Sequence, residues 1–143
     1  MLPVKNYLYY TLNPMALKEI LIIEDDEFNC FIYKEILSNA FTSISFAHDG
    51  QEGIDRFKEK SYDLVLLDLG LPKINGLEVL RLIKEFETAP LRSATTPIII
   101  ITANSFPGTK EIALAAGAHQ YLTKPFNIEE LKNLAGLYLY DKV

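Results

Sequence analysis

The chain has one cysteine and no second to pair with it. Cys30 therefore forms no internal disulfide and belongs to no multi-cysteine metal site. That usage is compatible with a reducing, cytoplasmic setting. Cys30 lies beside Phe31 in a helical pattern, which reads as a buried structural thiol rather than a nucleophile. No apolar run is long enough to cross a bilayer, so no membrane insertion is expected. Basic residues are outnumbered: 14 Lys and Arg against 19 Asp and Glu leave a net charge of −5. That removes any general electrostatic pull toward nucleic acid, and no basic, DNA-reading helix is present. Repeats, low-complexity tracts and an interdomain linker are also lacking. What remains is a chain of 143 residues, 49% apolar, sized for one ordinary domain with one sizeable core.

Met1 to Ala16 is unlike the rest. It carries Pro3, Pro14, a single cation (Lys5) and the cluster Tyr7-Leu8-Tyr9-Tyr10. No basic region precedes its short apolar stretch and no small-residue cleavage site follows, so a signal peptide is not expected. Residues 1–16 read as a leader outside the core fold, with 17–143 as the folded domain. A docking segment, or a natural start at Met15, are the alternatives.

From Lys18 onward, apolar runs alternate with helical spacings. Glu19-Ile20-Leu21-Ile22-Ile23 predicts a buried strand that ends in Glu24-Asp25-Asp26-Glu27. Phe28, Phe31, Ile32, Ile36, Leu37 and Ala40 then recur at helical spacing, with Asp26 or Asp25 placed to cap. Ser43 to Ala47 predicts a second strand. Gly53, Ile54 and Phe57 mark the inner face of a second helix after the turn Asp49-Gly50. Asp63 to Asp68 predicts a third strand, an apolar run closed by one carboxylate, Gly70 and Pro72. Asn75-Gly76 precedes a third helix with Leu77, Leu80, Ile83 and Phe86. The polar stretch Thr88 to Thr96 is expected as a loop. Pro97 to Thr102 is the fourth strand. A fourth helix follows within Ala103 to Ala116, with Ile112, Ala113, Ala115 and Ala116 inward, Pro107 and Gly108 at its loop-like start, and Gly117 closing it. His119 to Thr123 is the fifth strand. Asn127 caps a last helix whose core face is Leu131, Leu134, Ala135 and Tyr138.

Strands without polar alternation are covered on both faces, which points to a parallel sheet between helix layers. The expected fold is therefore α/β, a doubly wound (βα)5 three-layer sandwich. With the order 2-1-3-4-5, the crevice lies where strands one and three meet. Glu24 and Asp25 end strand one, Asp68 strand three, Thr102 strand four and Lys124 strand five. Three converging carboxylates repel one another unless a cation sits between them. Hard oxygen ligands with room for waters favour Mg²⁺ over Ca²⁺, and zinc-like spacings are absent. A metal-bound carboxylate opposite a lysine and a hydroxyl suits phosphoryl chemistry. Asp68 can attack phosphorus and become an acyl phosphate, Lys124 can neutralise phosphoryl oxygens, and Thr102 can donate a hydrogen bond.

These stretches resemble one known family, the receiver domains of two-component response regulators, in particular the single-domain, chemotaxis-receiver-like members. The resemblance is carried by Ile20 to Glu27, Asp63 to Pro72, Asn75-Gly76, Ile101-Thr102-Ala103, Gly117-Ala118 and Tyr121-Leu122-Thr123-Lys124-Pro125-Phe126. It spans about Lys18 to Tyr140. It implies a flavodoxin-like fold with Asp68 as phosphoacceptor. Asp25 and Asp68 would bind Mg²⁺ directly, with the Gly70 backbone carbonyl as a further ligand and Glu24 acting through water. Thr102 would follow the phosphoryl group, Tyr121 would change rotamer with it, and Lys124 would hold a phosphoryl oxygen. Lys124-Pro125 becomes a candidate cis peptide. The implied donor is a phosphohistidine on a histidine kinase or histidine phosphotransfer domain. The implied output is a protein partner at the fourth helix, fifth strand and fifth helix, with no direct nucleic-acid contact. No effector domain follows in the chain, so it reads as a stand-alone receiver or as a receiver cut from a longer protein.

Three departures from the family pattern stand out: Glu24 in place of an aspartate, the bare Gly70, and Asn104 two residues past Thr102. Two other functions are compatible with these residues. One is a receiver-shaped interaction module that needs no phosphate, against which stands the retention of all five polar groups. The other is a Mg²⁺-dependent aspartyl-phosphate hydrolase resembling the haloacid dehalogenases. Its usual second aspartate would fall at Gly70, which cannot donate a proton. A flavin carrier is disfavoured, since nothing after strand one looks like a phosphate-cradling loop. His48 and His119 read as surface or packing residues, neither being expected at a strand's carboxyl end. Arg56, Lys58 and Lys60 read as a solvated face.

Overall fold

The apolar runs pair into one parallel five-stranded sheet of order β2-β1-β3-β4-β5. The computed structural model describes residues 17–88, 95–103 and 106–140. The leader 1–16, most of the expected 88–96 loop, and Asn104 lie outside them. The strands are β1 (Lys18–Ile23), β2 (Thr42–Ala47), β3 (Leu64–Leu67), β4 (Ile98–Thr102) and β5 (Gln120–Thr123). The helices are α1 (Glu27–Leu37), α2 (Gly50–Glu59), α3 (Gly76–Glu87), α4 (Thr109–Ala115) and α5 (Ile128–Leu139). Every connection between paired strands is parallel. A parallel pair needs a crossover, and α1 to α4 supply the four connections between successive strands, with α5 following the last.

β3 and β4 are buried at every position. Their alternate side chains feed two cores. Val65, Leu67, Ile98 and Ile100 pack with Ile54, Phe57, Val79, Leu80 and Ile83 from α2 and α3. Leu64, Leu66, Ile99 and Ile101 pack with Tyr33, Leu37, Leu131 and Ala135 from α1 and α5. This period-two division is what a sheet with helices on both faces requires.

Helix starts follow the sequence closely. Asp26, Asp49, Asn75 and Asn127 each accept a backbone N–H through the side chain, as N-caps do. Gly117 ends α4 with φ 112°, and a Cβ there would come within 2.9 Å of Lys84 Cε. The Lys124-Pro125 bond is cis.

Two inner faces differ from expectation. In α1 the buried stripe is Cys30, Tyr33 and Leu37. Phe28 and Phe31 are 70% and 57% exposed, and Ala40 lies past the helix end. Positions 30, 33 and 37 form one continuous stripe, and the docking of α1 on the sheet selected it over the phenylalanine stripe. In α4 only Ala113 of the four expected residues is buried, and Ile112 is 57% exposed. α4 runs only from Thr109 to Ala115, about two turns, so little of its surface reaches the sheet.

Candidate functional site

The parallel register sets the site. Ile23 pairs with Leu67, so the residues that follow each, Glu24 and Asp68, leave the sheet side by side. Glu24 N–H donates to Ala47 O at 2.9 Å, and Asp68 N–H donates to Ile23 O at 3.1 Å. On the other flank Thr102 pairs with Thr123, and Lys124 N–H donates to Thr102 O at 2.9 Å. The sheet thus delivers four of the five predicted polar strand-end residues, Glu24, Asp68, Thr102 and Lys124, to one edge. Asp25, exposed at the rim, is the fifth.

Lys124 is the centre of the arrangement. Its Nζ donates to Glu24 Oε1 at 2.7 Å and to Asp68 Oδ2 at 2.9 Å. The second oxygen of each carboxylate accepts from the backbone: Asp26 N–H to Glu24 Oε2 at 3.2 Å, and Gly70 N–H to Asp68 Oδ1 at 3.0 Å. Burial pushes the Glu24 carboxyl above the usual carboxylate range, with the Asp68 charge adding to it and the Lys124 hydrogen bond opposing. Burial pulls the Lys124 ammonium down, but the hydrogen bonds to Glu24 and Asp68 outweigh it and hold its pKa well above that of an ordinary lysine.

Glu24, Asp25 and Asp68 bring carboxylate oxygens within 4.8 Å of one another. An all-oxygen, all-carboxylate donor set fits a hard divalent cation. Cys30 does not join it. Its thiol is pushed up to about 11, chiefly by burial and then by Glu24, and donates to the Glu24 carbonyl at 3.4 Å.

Thr102 is 1% exposed. Tyr121 is half-buried on β5, and its hydroxyl pKa is raised by burial and then by the Asp68 charge. Gly70 is exposed, and among the described residues a Cβ there would meet only Asp68 Oδ1, at 3.7 Å. His119 is a packing residue on the opposite edge of the sheet: its Nδ1 accepts from Ile98 N–H at 3.2 Å and its ring lies edge-on to Tyr138. His48 does follow the carboxyl end of β2, contrary to expectation, but it is exposed and uses its backbone N–H on Glu52. In the cationic face, Arg56 pairs with Glu52 and Lys60 with Glu19, while Lys58 lies over the Phe86 ring.

Three contributors escaped sequence reasoning. A Cβ on Gly76 would lie 2.3 Å from Leu69 Cα and 2.4 Å from the Asp68 carbonyl oxygen, so the start of α3 presses directly on the peptide after Asp68. Lys73, at φ 66°, pairs with Asp49 at 2.9 Å and ties the same loop to the cap of α2. Tyr33 buries its hydroxyl beneath Glu24 and Asp68. The Asn75-Gly76 turn was visible in the sequence, but nothing in it reported how close the backbone comes.

A family profile described as the response regulator receiver domain matches residues 20–135. The chain belongs to that family. Among relatives of this receiver, "Response regulator ArlR" of Staphylococcus epidermidis is 45% identical over 113 residues, covering 78% of this chain and 48% of that protein. The chain spans about half the length of the curated relatives it matches. Two solved receivers share the fold. The receiver domain of Ssk1 from Saccharomyces cerevisiae, co-crystallised with the histidine phosphotransfer protein Ypd1, is 30% identical with a TM-score of 0.76, covering 87% of this chain and 90% of that one. The receiver domain of sensor histidine kinase PA1611 from Pseudomonas aeruginosa, with a magnesium ion in its active-site cleft, is 29% identical with a TM-score of 0.73, covering 87% and 98%. No helix of the described residues is long and apolar enough to cross a membrane.

Proposed function

We propose that residues 17–143 form a phosphoacceptor receiver, with residues 1–16 as a leader outside its core. It takes a phosphoryl group from a phosphohistidine onto Asp68 and switches conformation to regulate a protein partner. The observation that carries this is Lys124 Nζ bridging Glu24 Oε1 and Asp68 Oδ2, beside a third carboxylate from Asp25. Asp25, Asp68 and the Gly70 carbonyl would hold Mg²⁺, with Glu24 engaged through water. When bound, Mg²⁺ neutralises negative charge on the transferred phosphoryl oxygens.

An Asp68 oxygen attacks phosphorus, and the bond from phosphorus to the donor's imidazole nitrogen breaks. The nitrogen keeps the electron pair, and the product is an acyl phosphate on Asp68. Lys124 turns from its carboxylates to a phosphoryl oxygen, and Thr102 donates its hydroxyl hydrogen bond from the end of β4. Tyr121 then turns inward, transmitting the change along β5. Fixed charges aimed at the transferring group are sufficient for this reaction.

The donor is a histidine kinase or a histidine phosphotransfer protein, as the Ssk1 receiver's pairing with Ypd1 supports. The output face is α4–β5–α5. There an open groove of about 610 Å³ is lined by Lys110, Gln120, Tyr121, Asn133 and Leu134 among others. The setting is cytoplasmic, and a segment of net charge −5 makes no direct nucleic-acid contact. Incubation with Mg²⁺ and a small acyl phosphate, followed by intact mass, tests the reading. One phosphate adduct is expected, absent in Asp68→Asn. No adduct with any donor would turn the assignment toward a phosphate-independent interaction module, and rapid turnover of unrelated phosphoesters toward a hydrolase.

A further inference from the structure

Tyr33 lies on the inner face of α1 and is 2% exposed. Its ring stacks on Phe126, with centroids 5.9 Å apart and planes 18° from parallel. Phe126 sits two residues beyond Lys124, so the segment that carries the lysine also fixes the tyrosine. The Tyr33 hydroxyl is buried and has no hydrogen-bond partner among the described residues. The crevice it shares with Glu24, Asp68 and Ile101 has no room for a water molecule. A buried hydroxyl left in this state is destabilising. Phenylalanine would keep the stacking without that cost, so packing of the metal-free protein does not account for the oxygen.

The charges around it suggest its use. The Lys124 ammonium opposes the effect of burial on the Tyr33 hydroxyl, first by its charge and then by an approach toward a hydrogen bond, while Glu24 and Asp68 act in the opposite sense; the geometry of a formed bond is not reached. Lys124 has three N–H donors, and two are engaged by Glu24 and Asp68. Those two carboxylates belong to the cluster that would hold the cation, and Asp68 must also take the phosphoryl group. Lysine and cation therefore compete. An ammonium withdrawn from both partners in a buried site needs another acceptor. The Tyr33 oxygen is an unused neutral one beside it.

We propose that Tyr33 is a positioning residue for Lys124, its hydroxyl oxygen accepting an ammonium proton as the lysine gives up Glu24 and Asp68 to an incoming cation. The inference rests on the phosphoacceptor reading of the site. It is tested on the full chain by calorimetric Mg²⁺ titration of wild type, Tyr33→Phe, Lys124→Met and the double variant, with thermal melting in EDTA. Tyr33→Phe weakens Mg²⁺ binding about tenfold, the scale of a hydrogen bond to a charged group, while the metal-free protein melts at the same temperature or higher. In the Lys124→Met background the same change leaves Mg²⁺ affinity unaltered.

Unchanged affinity in Tyr33→Phe, a lower metal-free melting temperature, or an equal affinity loss in both backgrounds overturns the proposal. Should Lys124→Met fail to fold, the Nζ ammonium protons of Lys124 in Mg²⁺-loaded wild type decide by NMR. They exchange slowly with water if Tyr33 holds one of them and faster in Tyr33→Phe; identical exchange in both is refuting. A wild-type chain that binds Mg²⁺ and takes phosphate while Tyr33→Phe behaves identically sinks only the Tyr33 role. A wild type that does neither sinks the reading of the site as well.

Discussion

Gly76→Ala and Gly136→Ala are the same chemical change in two helices and should have opposite effects. At Gly76 the new methyl would sit 2.3 Å from Leu69 Cα and 2.4 Å from the Asp68 carbonyl oxygen. Carbon atoms pack at about 3.5–4.0 Å, so the backbone on one side must retreat by more than an ångström. Both contacts are backbone, and no flexible side chain can absorb the shift. Overpacking of this kind costs about 1–3 kcal/mol, occasionally more. Replacing a helical glycine returns about 0.5–1 kcal/mol, less at a first helical position such as Gly76. The net loss should be about 2 kcal/mol. At Gly136, inside α5, nothing among the described residues lies within 4 Å of the added methyl. Only the helix gain remains there, a stabilisation of about 0.5–1 kcal/mol. Urea denaturation at neutral pH reads both. Because the Gly76 contact is on the peptide after Asp68, phosphoryl uptake should fall in Gly76→Ala and stay at the wild-type rate in Gly136→Ala. A Gly76→Ala protein as stable as wild type would refute the argument that α3 presses on the Asp68 backbone.

Two further predictions concern charge. His119 has its pKa lowered by burial and then by Lys84, with Glu87 opposing, and its Nδ1 is committed as an acceptor from Ile98 N–H. As pH falls below the ordinary histidine value of about 6.5, the unfolded chain takes up the proton first, so stability present above that pH is lost as pH drops through the lowered folded pKa. Melting curves between pH 7 and 5 should show a smaller loss in His119→Gln than in wild type; equal losses would contradict it. Lys124→Met leaves the buried Glu24 facing Asp68 without its cation and should cost about 3 kcal/mol in EDTA at pH 7. Glu24 already has a raised pKa, so its folded state binds a proton more readily than the unfolded chain, and the cost should shrink as pH falls through the raised value toward the ordinary carboxylate range. A deficit that is independent of pH would count against an uncompensated Glu24.

Much of this was legible from local pattern. Unbroken apolar runs marked β3 and β4 as buried on both faces, and Asp26, Asp49, Asn75 and Asn127 announced their helices. Single polar residues at strand ends, Glu24, Asp68, Thr102 and Lys124, could be expected at one edge because parallel strands must all finish there. Where local pattern offered two answers it misled. Phe28 and Phe31 in α1, and Ile112 in α4, follow helical spacing as well as the residues that are in fact buried. Periodicity reports that a helix has a stripe; the partner surface chooses which stripe is covered.

The elements, their order, the sheet and the residues at its carboxyl edge follow from the period of apolar positions and from caps within a few residues. The bridge from Lys124 to Glu24 and Asp68 emerges in three dimensions alone, because it joins residues 100 and 56 positions apart. The same holds for the contact of Gly76 with the Asp68 backbone and for the Tyr33 hydroxyl beneath the site, which has no partner among the described residues. Such facts depend on ångström-scale distances between segments that the chain brings together only when the sheet closes, and no local pattern carries those distances.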